Sequence, residues 1–381
     1  MKTAQVVLTA IEAAQAKLAP LAAIDPHLVI VFASPVWMAD ARFFPLLRTT
    51  FSQARLLGCS TAGEIAGSGV LDRGCVITAL HFERSAVAVF SDGVADVADS
   101  FAAGGRLAAK IRDADPGAVL LFAPGVDING TALVDGLSAG LAPGVRIMGG
   151  LAGDDAAFRE TWTLTDDGIS ARAVVAVALP QQMTVGNGSF GGWKPFGPAR
   201  RVTRCKGSIL YELDGEPALQ VYKRYLGDYA KDLPASGLLF PFEMMDAGRR
   251  EEGLIRTILG VDEASGSLVL AGAIDPEGYL RLMHASTDAL VDGAYAAATA
   301  TCATLSAPPS HGLAILVSCI GRKLVMGGRA EEEVEAVREV VGNGTLLAGF
   351  YSNGEISPTA GKLQCKLHNQ TMTVTYLGET V

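Results

Sequence analysis

Leu57-Gly58-Cys59-Ser60-Thr61-Ala62-Gly63-Glu64-Ile65 returns near the other end of the chain as Ala348-Gly349-Phe350-Tyr351-Ser352-Asn353-Gly354-Glu355-Ile356. Both copies pass from an apolar residue through Gly to a hydroxyl side chain and close on Gly-Glu-Ile. A looser third copy is Met148-Gly149-Gly150-Leu151-Ala152-Gly153-Asp154-Asp155, where an acid again follows Ala-Gly. Self-similarity of this kind marks a fold assembled from repeated supersecondary units.

What precedes each copy repeats too. Leu28–Ala33, Val119–Ala123 and Leu313–Ser318 are short, unbroken apolar runs, as expected of strands covered on both faces. A helical stretch follows each run. In the last copy it is Glu331–Val341, with Val334, Val337, Val340 and Val341 on one stripe and Gly342 just past its end. In the second it spans about Asn129–Leu141, and in the first Phe43, Leu47 and Phe51 take that part. Two strand-like runs come after each Gly motif: Cys75–His81 with Ala86–Phe90, Glu160–Leu164 with Ala173–Leu179, and Leu363–Lys366 with Thr371–Tyr376. The unit therefore reads strand, helix, strand, Gly-rich turn, strand, strand. Parallel pairs need crossovers and hairpins give antiparallel pairs, so mixed β-sheets covered by helices are expected, an α/β (α+β) fold in two modules.

A Gly- and Pro-rich junction lies at 181–200, which divides the chain into modules 1–200 and 201–381. Beyond it, Arg201–Tyr211 reads as a hairpin. Asp214-Gly215-Glu216-Pro217 opens a helix with Ala218, Val221, Tyr222 and Tyr225 on one face. Strands are expected at Ile255–Leu259, Leu268–Ala271 and Tyr279–Met283. Thr287-Asp288 caps an Ala-rich helix to about Thr304, and Ser306–Ser310 loops into the final unit. The junction also holds a formal G-x-G-x-x-G at Gly186, Gly188 and Gly191. It runs into Gly-Trp-Lys-Pro rather than a helix, so it lacks the context of a dinucleotide site.

Composition removes several classes. The chain has 381 residues, 49% hydrophobic and 19% charged, with a formal net charge of −9. This is too apolar for a disordered chain and too acidic for a nucleic-acid or anionic-membrane footprint. The longest apolar runs fall short of the roughly 18–20 residues of a spanning helix. Near the N-terminus Val7, Ile11, Ala14, Leu18 and Leu21 recur at helical spacing, and Gln5, Glu12, Gln15 and Lys17 interrupt the apolar stretch. That pattern reads as an amphipathic helix rather than a signal peptide, and a cytoplasmic protein is expected. The six cysteines form no CxxC, and the five histidines show no metal-ligand spacing, so no metal site is expected. No cofactor is expected from the pattern either. Haem, which needs one axial ligand, stays open.

The repeated turn could bind a small molecule. Gly lets backbone approach a ligand closely, Ser or Thr offers a hydroxyl, and Glu a carboxylate. The candidate ligand-binding residues are Cys59, Ser60, Thr61, Gly63, Glu64, Gly153, Asp154, Cys319, Arg322, Tyr351, Ser352, Asn353, Gly354 and Glu355. Arg322 follows the apolar run 313–318 and would hold a carboxylate bidentately. Its plainer reading is a pair with Glu331 or Glu332. For each Ser, Thr and Glu, the plainer reading is a turn whose side chains cap backbone N–H groups. A Cys59 or Ser60 nucleophile has no local base, since Glu64 would raise a thiol pKa.

Taken in order, these motifs resemble the FIST family of sensory proteins, with its N-terminal and C-terminal modules. The resemblance rests on Gly58–Ile65, Gly149–Asp155, Arg201-Val202-Thr203 with Leu213–Ala218, Ser318-Cys319-Ile320-Gly321-Arg322, Gly349–Pro358 and His368-Asn369-Gln370-Thr371. It implies a module that senses small ligands, amino acids among them. Such modules are coupled to histidine kinases, chemoreceptors or cyclic-di-nucleotide enzymes (diguanylate cyclases or phosphodiesterases). This chain carries no kinase, cyclase or membrane segment, so the signalling partner is expected on another polypeptide. A haem-based gas sensor, a Cys59- or Ser60-dependent hydrolase and a ligand-free scaffold are the alternative readings.

Overall fold

The computed structural model describes residues 1–307, 311–358 and 365–379. The three apolar runs become the central strands β2 (Leu28–Ala33), β8 (Pro116–Ala123) and β23 (Gly312–Cys319). Each lies parallel to the strand that enters its Gly motif: β3 (Arg55–Ser60), β9 (Arg146–Leu151) and β24 (Thr345–Ser352). The crossovers carry α2 (Pro35–Met38) with α3 (Phe43–Thr50), then α5 (Gly130–Gly140), then α8 (Ile320–Met326) with α9 (Glu331–Val341).

The unit is larger than the sequence pattern suggested. Each begins one strand and one helix earlier: β1 (Lys2–Leu8) with α1 (Ala14–Ala22), β7 (Ala88–Gly93) with α4 (Ser100–Ile111), and β13 (Met183–Phe190) with α7 (Thr287–Ala303). The strand that returns to each sheet is β6 (Cys75–His81), β12 (Ala173–Pro180) or β27 (Met372–Glu379). Val7 therefore lies in a strand rather than a helix. The run expected at 86–90 belongs to the second sheet, where β7 pairs with β12. β13, inside the expected junction, pairs along its length with β27.

Between Gly motif and returning strand, each unit sends a short hairpin into a neighbour's sheet. β4 (Glu64–Ala66) and β5 (Gly69–Leu71) extend the third sheet. β10 (Thr163–Thr165) and β11 (Gly168–Ser170) extend the first. β25 (Gly354–Pro358) and β26 (Cys365–His368) extend the second. The three six-stranded sheets share one order: β1-β6-β2-β3-β10-β11, β7-β12-β8-β9-β25-β26 and β13-β27-β23-β24-β4-β5. The exchange is cyclic. The expected strand at 363–366 falls partly, and the expected loop at 306–310 largely, outside the described residues.

The first glycine of each motif is dictated by this geometry. A Cβ at Gly58 would run into the carbonyl of Val31 on the parallel neighbour, one at Gly149 into that of Leu121, and one at Gly349 into that of Leu316. Inside the ring the sheets meet in one core. Phe32, Phe122 and Phe350 pack with ring centroids 4.7 to 5.8 Å apart, two of the pairs edge-on. Side-chain size is complementary across the register: Phe32 faces Cys59, Phe122 faces Gly150 and Val317 faces Phe350.

A separate sheet of nine strands, β14 (Lys194–Pro195) to β22 (Tyr279–His284), is inserted between β13 and α7. It carries α6 (Ala218–Leu226) and a core of its own around Leu213, Tyr222, Phe242 and Leu268. Gly227, at φ 57°, stops α6. The cap of α7 is Ser286, whose side chain accepts from Ala289 N, one residue before the expected Thr287.

Candidate functional site

The motif side chains are turned inward. Ser60, Thr61, Glu64, Ser352 and Glu355 are fully buried. The Thr61 hydroxyl donates to Glu64 Oε1, and Gly74 N donates to Glu64 Oε2 at 2.8 Å. In the third unit Ser352 Oγ donates to Glu355 Oε1 at 2.7 Å, while Thr371 N and Oγ1 donate to Glu355 Oε2 at 3.0 and 2.9 Å. Burial disfavours the charged form and pushes both carboxyls up to about 7, although these donors oppose the shift.

Other expected site residues have structural partners. Arg322, fully buried, donates to Glu333 Oε2 at 2.7 Å and to Leu290 O at 2.8 Å, and also to Gly191 O. Its carboxylate partner is thus Glu333, not the exposed acids beside it in sequence, and the guanidinium is enclosed. Tyr351 OH donates to Ala330 O at 3.3 Å. Burial raises the thiols of Cys59 and Cys319, so neither is poised as a thiolate. Gly63 takes φ 132°, and Lys323 reaches over it to the carbonyl of Ala62. Gly354 pairs with Leu151 in the exchanged hairpin. Asn353 differs, since its buried Oδ1 and Nδ2 have no hydrogen-bond partner among the described residues.

In the second unit the design diverges. Counting from the first glycine, Asp155 takes the position of Glu64 and Glu355, yet it is exposed. Asp154, 4% exposed, turns back on the following loop instead. It accepts from Phe158 N at 2.9 Å and from Arg159 N and Glu160 N at 2.6 and 3.2 Å. Ser60 holds the same loop from the first unit: its Oγ donates to Gly153 O at 2.7 Å and accepts from Trp162 N at 2.9 Å. Thr161 fixes the loop to the end of β8 by accepting from Gly125 N at 2.8 Å and Val126 N at 3.3 Å.

These bonds build one wall of a cleft of about 360 Å³ at the carboxyl end of β8. The opposite wall is the loop Pro124 to Ile128 that enters α5, whose cap Asn129 accepts from Ala132 N. Strand ends of open α/β sheets commonly hold ligands. Arg159, Glu160 and Asp127 face the cleft, and their charged groups make no hydrogen bond or ion pair among the described residues. Arg172 lies beside them and donates to Ala95 O. Val94, Val126 and Ile128 give an apolar side. Two guanidinium groups can bind a carboxylate, and two carboxylates an ammonium group.

The structure thus brings Ser60, Gly153 and Asp154 together behind this cleft. Cys319, Ser352 and Glu355 gather instead at the end of β23. Sequence reading took Glu160 and Thr161 as the start of a strand and passed over Arg159; β10 begins only at Thr163, which leaves all three in the loop after Asp154-Asp155. Among the described residues no group of three or more potential metal ligands converges. His368 is buried, which holds it down to about 4, and its Nε2 lies 3.1 Å from Ser357 O. No helix among the described residues is long and apolar enough to cross a membrane.

The model of the FIST N domain matches residues 27–216, and that of the FIST C domain residues 218–358. The chain belongs to the FIST family, whose domains are associated with sensory and signalling roles. It is 25% identical over 322 residues to an uncharacterized protein of Mycobacterium tuberculosis, covering 83% of this chain and 82% of that one. An uncharacterized protein of Mycobacterium bovis is 30% identical over 253 residues, 65% of this chain and 61% of the relative. Among solved structures, cyanuric acid hydrolase from A. caulinodans superposes with a TM-score of 0.39 at 8% identity, over 100% of this chain and 99% of that one.

Proposed function

We propose that this FIST protein is a sensor that binds a small zwitterion, an amino acid, in the cleft between the Pro124–Ile128 and Arg159–Thr161 loops. The observation that carries the reading is charge of both signs left unpaired in one cleft: Arg159 on one hand, Asp127 and Glu160 on the other. Arg159 and Arg172 take the carboxylate, Asp127 or Glu160 the ammonium group, and Val94, Val126 and Ile128 the side chain. The motif residues Ser60, Gly153 and Asp154 act through the loop they fix, and Asn353, packed against Gly125, supports the other wall.

The ring of exchanged hairpins supports a route for the signal. A ligand that draws the two loops together pulls on β10, which is hydrogen-bonded to β3 of the first unit. Such a change is driven only by tighter binding to one state. The readout falls to a separate cytoplasmic partner, a histidine kinase, chemoreceptor or cyclic-di-nucleotide enzyme.

Thermal unfolding against a panel of amino acids, small carboxylates and haem tests this. A ligand at 100 times its dissociation constant stabilises the fold by about 2.7 kcal/mol and raises the midpoint by several degrees. A selective amino-acid hit supports the reading. A shift with haem alone, together with a Soret band, replaces it with a haem sensor. No shift across the panel rejects the amino-acid assignment.

A further inference from the structure

A second cleft, about 400 Å³, lies where the inserted sheet meets the third core sheet. Its core side is the end of β13, the turn Gly191-Gly192-Trp193, and His368 and Thr371. Its other side is Glu243 on β18 (Phe242–Met245), Glu251, Glu252 and Ile255 on β19 (Glu251–Arg256), and Met283 on β22. Apart from the buried His368, which burial keeps neutral, every ionisable side chain lining it among the described residues is acidic.

The charge balance is specific. Glu243 and Glu251 share one cation, since Arg281 Nη2 reaches both and Arg281 Nε donates to Glu243 at 2.9 Å. Glu252 has no hydrogen bond and no ion pair among the described residues. Arg256, buried behind it, donates to the carbonyls of Ile255, Leu367 and Ala273 and meets Glu252 only through its charge, so three carboxylates face two guanidinium groups and one negative charge is in surplus. The aromatic wall is equally unusual. Phe190 is 51% exposed, while Trp193 is fixed by its Nε1 bond to Gln370 O at 2.7 Å.

We propose that this cleft is a second binding site, for a small organic ammonium ion. Aromatic rings attract a cation, the surplus carboxylate neutralises it, and N–H donors on an amine suit the carboxylate oxygens that line the cleft. Met283 and Ile255 would lie along its methylene groups. Because the cleft spans the core and the inserted sheet, an occupant would tie the two together. The inference stands apart from the amino-acid cleft.

The test is calorimetric titration of the full chain with 1,4-diaminobutane and with tetramethylammonium chloride, against sodium chloride at matched ionic strength. Binding of at least one ammonium probe is expected. Glu252→Gln and Phe190→Ala, both changes at the cleft mouth, should each weaken it about tenfold, by loss of charge and of the ring face. Arg159→Gln should leave it unchanged. Absence of heat with both probes overturns the proposal, as does binding that neither cleft variant alters. Heat equal to that of sodium chloride counts as absence.

Discussion

Glu64 and Glu355 lie at opposite ends of the chain and make the same bonds. Each accepts from a hydroxyl three residues earlier, Thr61 or Ser352. Each also accepts from the backbone N–H just before the returning strand, at Gly74 or Thr371. The carboxyl thereby fastens the start of the exchanged hairpin to its end. This explains why hydroxyl and acid recur at one spacing without either reaching solvent.

The pair makes stability depend on pH. Both carboxyls sit at about 7 in the folded protein, above the ordinary 4.5. A raised folded pKa means the unfolded chain loses its proton first. The contribution is complete below about 4.5 and is lost as pH rises through 7. By pH 8 the loss amounts to about 3 kcal/mol per carboxyl as an upper figure. Glu64→Gln and Glu355→Gln keep a neutral group that can donate to the hydroxyl and accept from the N–H. Denaturant unfolding at pH 5 and pH 8 should show the loss of stability at pH 8 shrinking in each variant and, in the double one, giving way to a rise, because His368 is held down to about 4 and favours the folded state above the ordinary histidine value. An unchanged difference would place the titration elsewhere.

Arg322 and Glu333 should behave as a buried pair. Arg322→Ala leaves Glu333 enclosed and uncompensated, at an expected cost of about 3–5 kcal/mol. Arg322→Lys cannot reproduce donation to Glu333, Gly191 and Leu290 together, so it should also destabilise. Urea unfolding measures both. A variant of wild-type stability with lost ligand binding would return Arg322 to the ligand site.

The motif glycines should be intolerant of any side chain. Gly349→Ala drives a methyl into the Leu316 carbonyl, and Gly149→Ala adds the strain of φ 132°. Each should cost more than about 3 kcal/mol, at the severe end for single substitutions. Gly144→Ala, where nothing lies within 4 Å, is the control for positive φ alone. Thermal midpoints of the three compare packing with strain.

Much of the fold was legible because the central strands are covered on both faces and read as unbroken apolar runs. Phe122 and Val317 belong to such runs, as does Phe32. The cyclic exchange was not legible. The hairpin strands Glu64–Ala66 and Thr163–Thr165 are three residues long and pair with strands far away in sequence, so even where 160–164 reads as strand-like, local pattern holds no trace of the partner. Met183–Phe190 was hidden by its glycines, which sit there because Ala297 and Thr301 of α7 pack directly on Gly188. At the site, Ser60 and Asp154 were read for the chemistry of their side chains. Their hydrogen bonds are spent on a loop, and the free charges lie on that loop at Arg159 and Glu160. An isolated Arg-Glu pair looks like any solvated turn until the fold sets Asp127 across from it.

The central claim is that an amino acid binds through Arg159. The direct measurement is calorimetric titration of the full chain with the amino acid selected by the unfolding panel, repeated on Arg159→Gln. Arg159 is exposed and makes no side-chain hydrogen bond or ion pair among the described residues, so the substitution should not change the thermal midpoint. Loss of a charge-assisted bond should weaken binding by about 1.5–3 kcal/mol, a factor of roughly ten to a hundred. Equal affinity in both proteins would contradict the assignment and move the ligand out of this cleft.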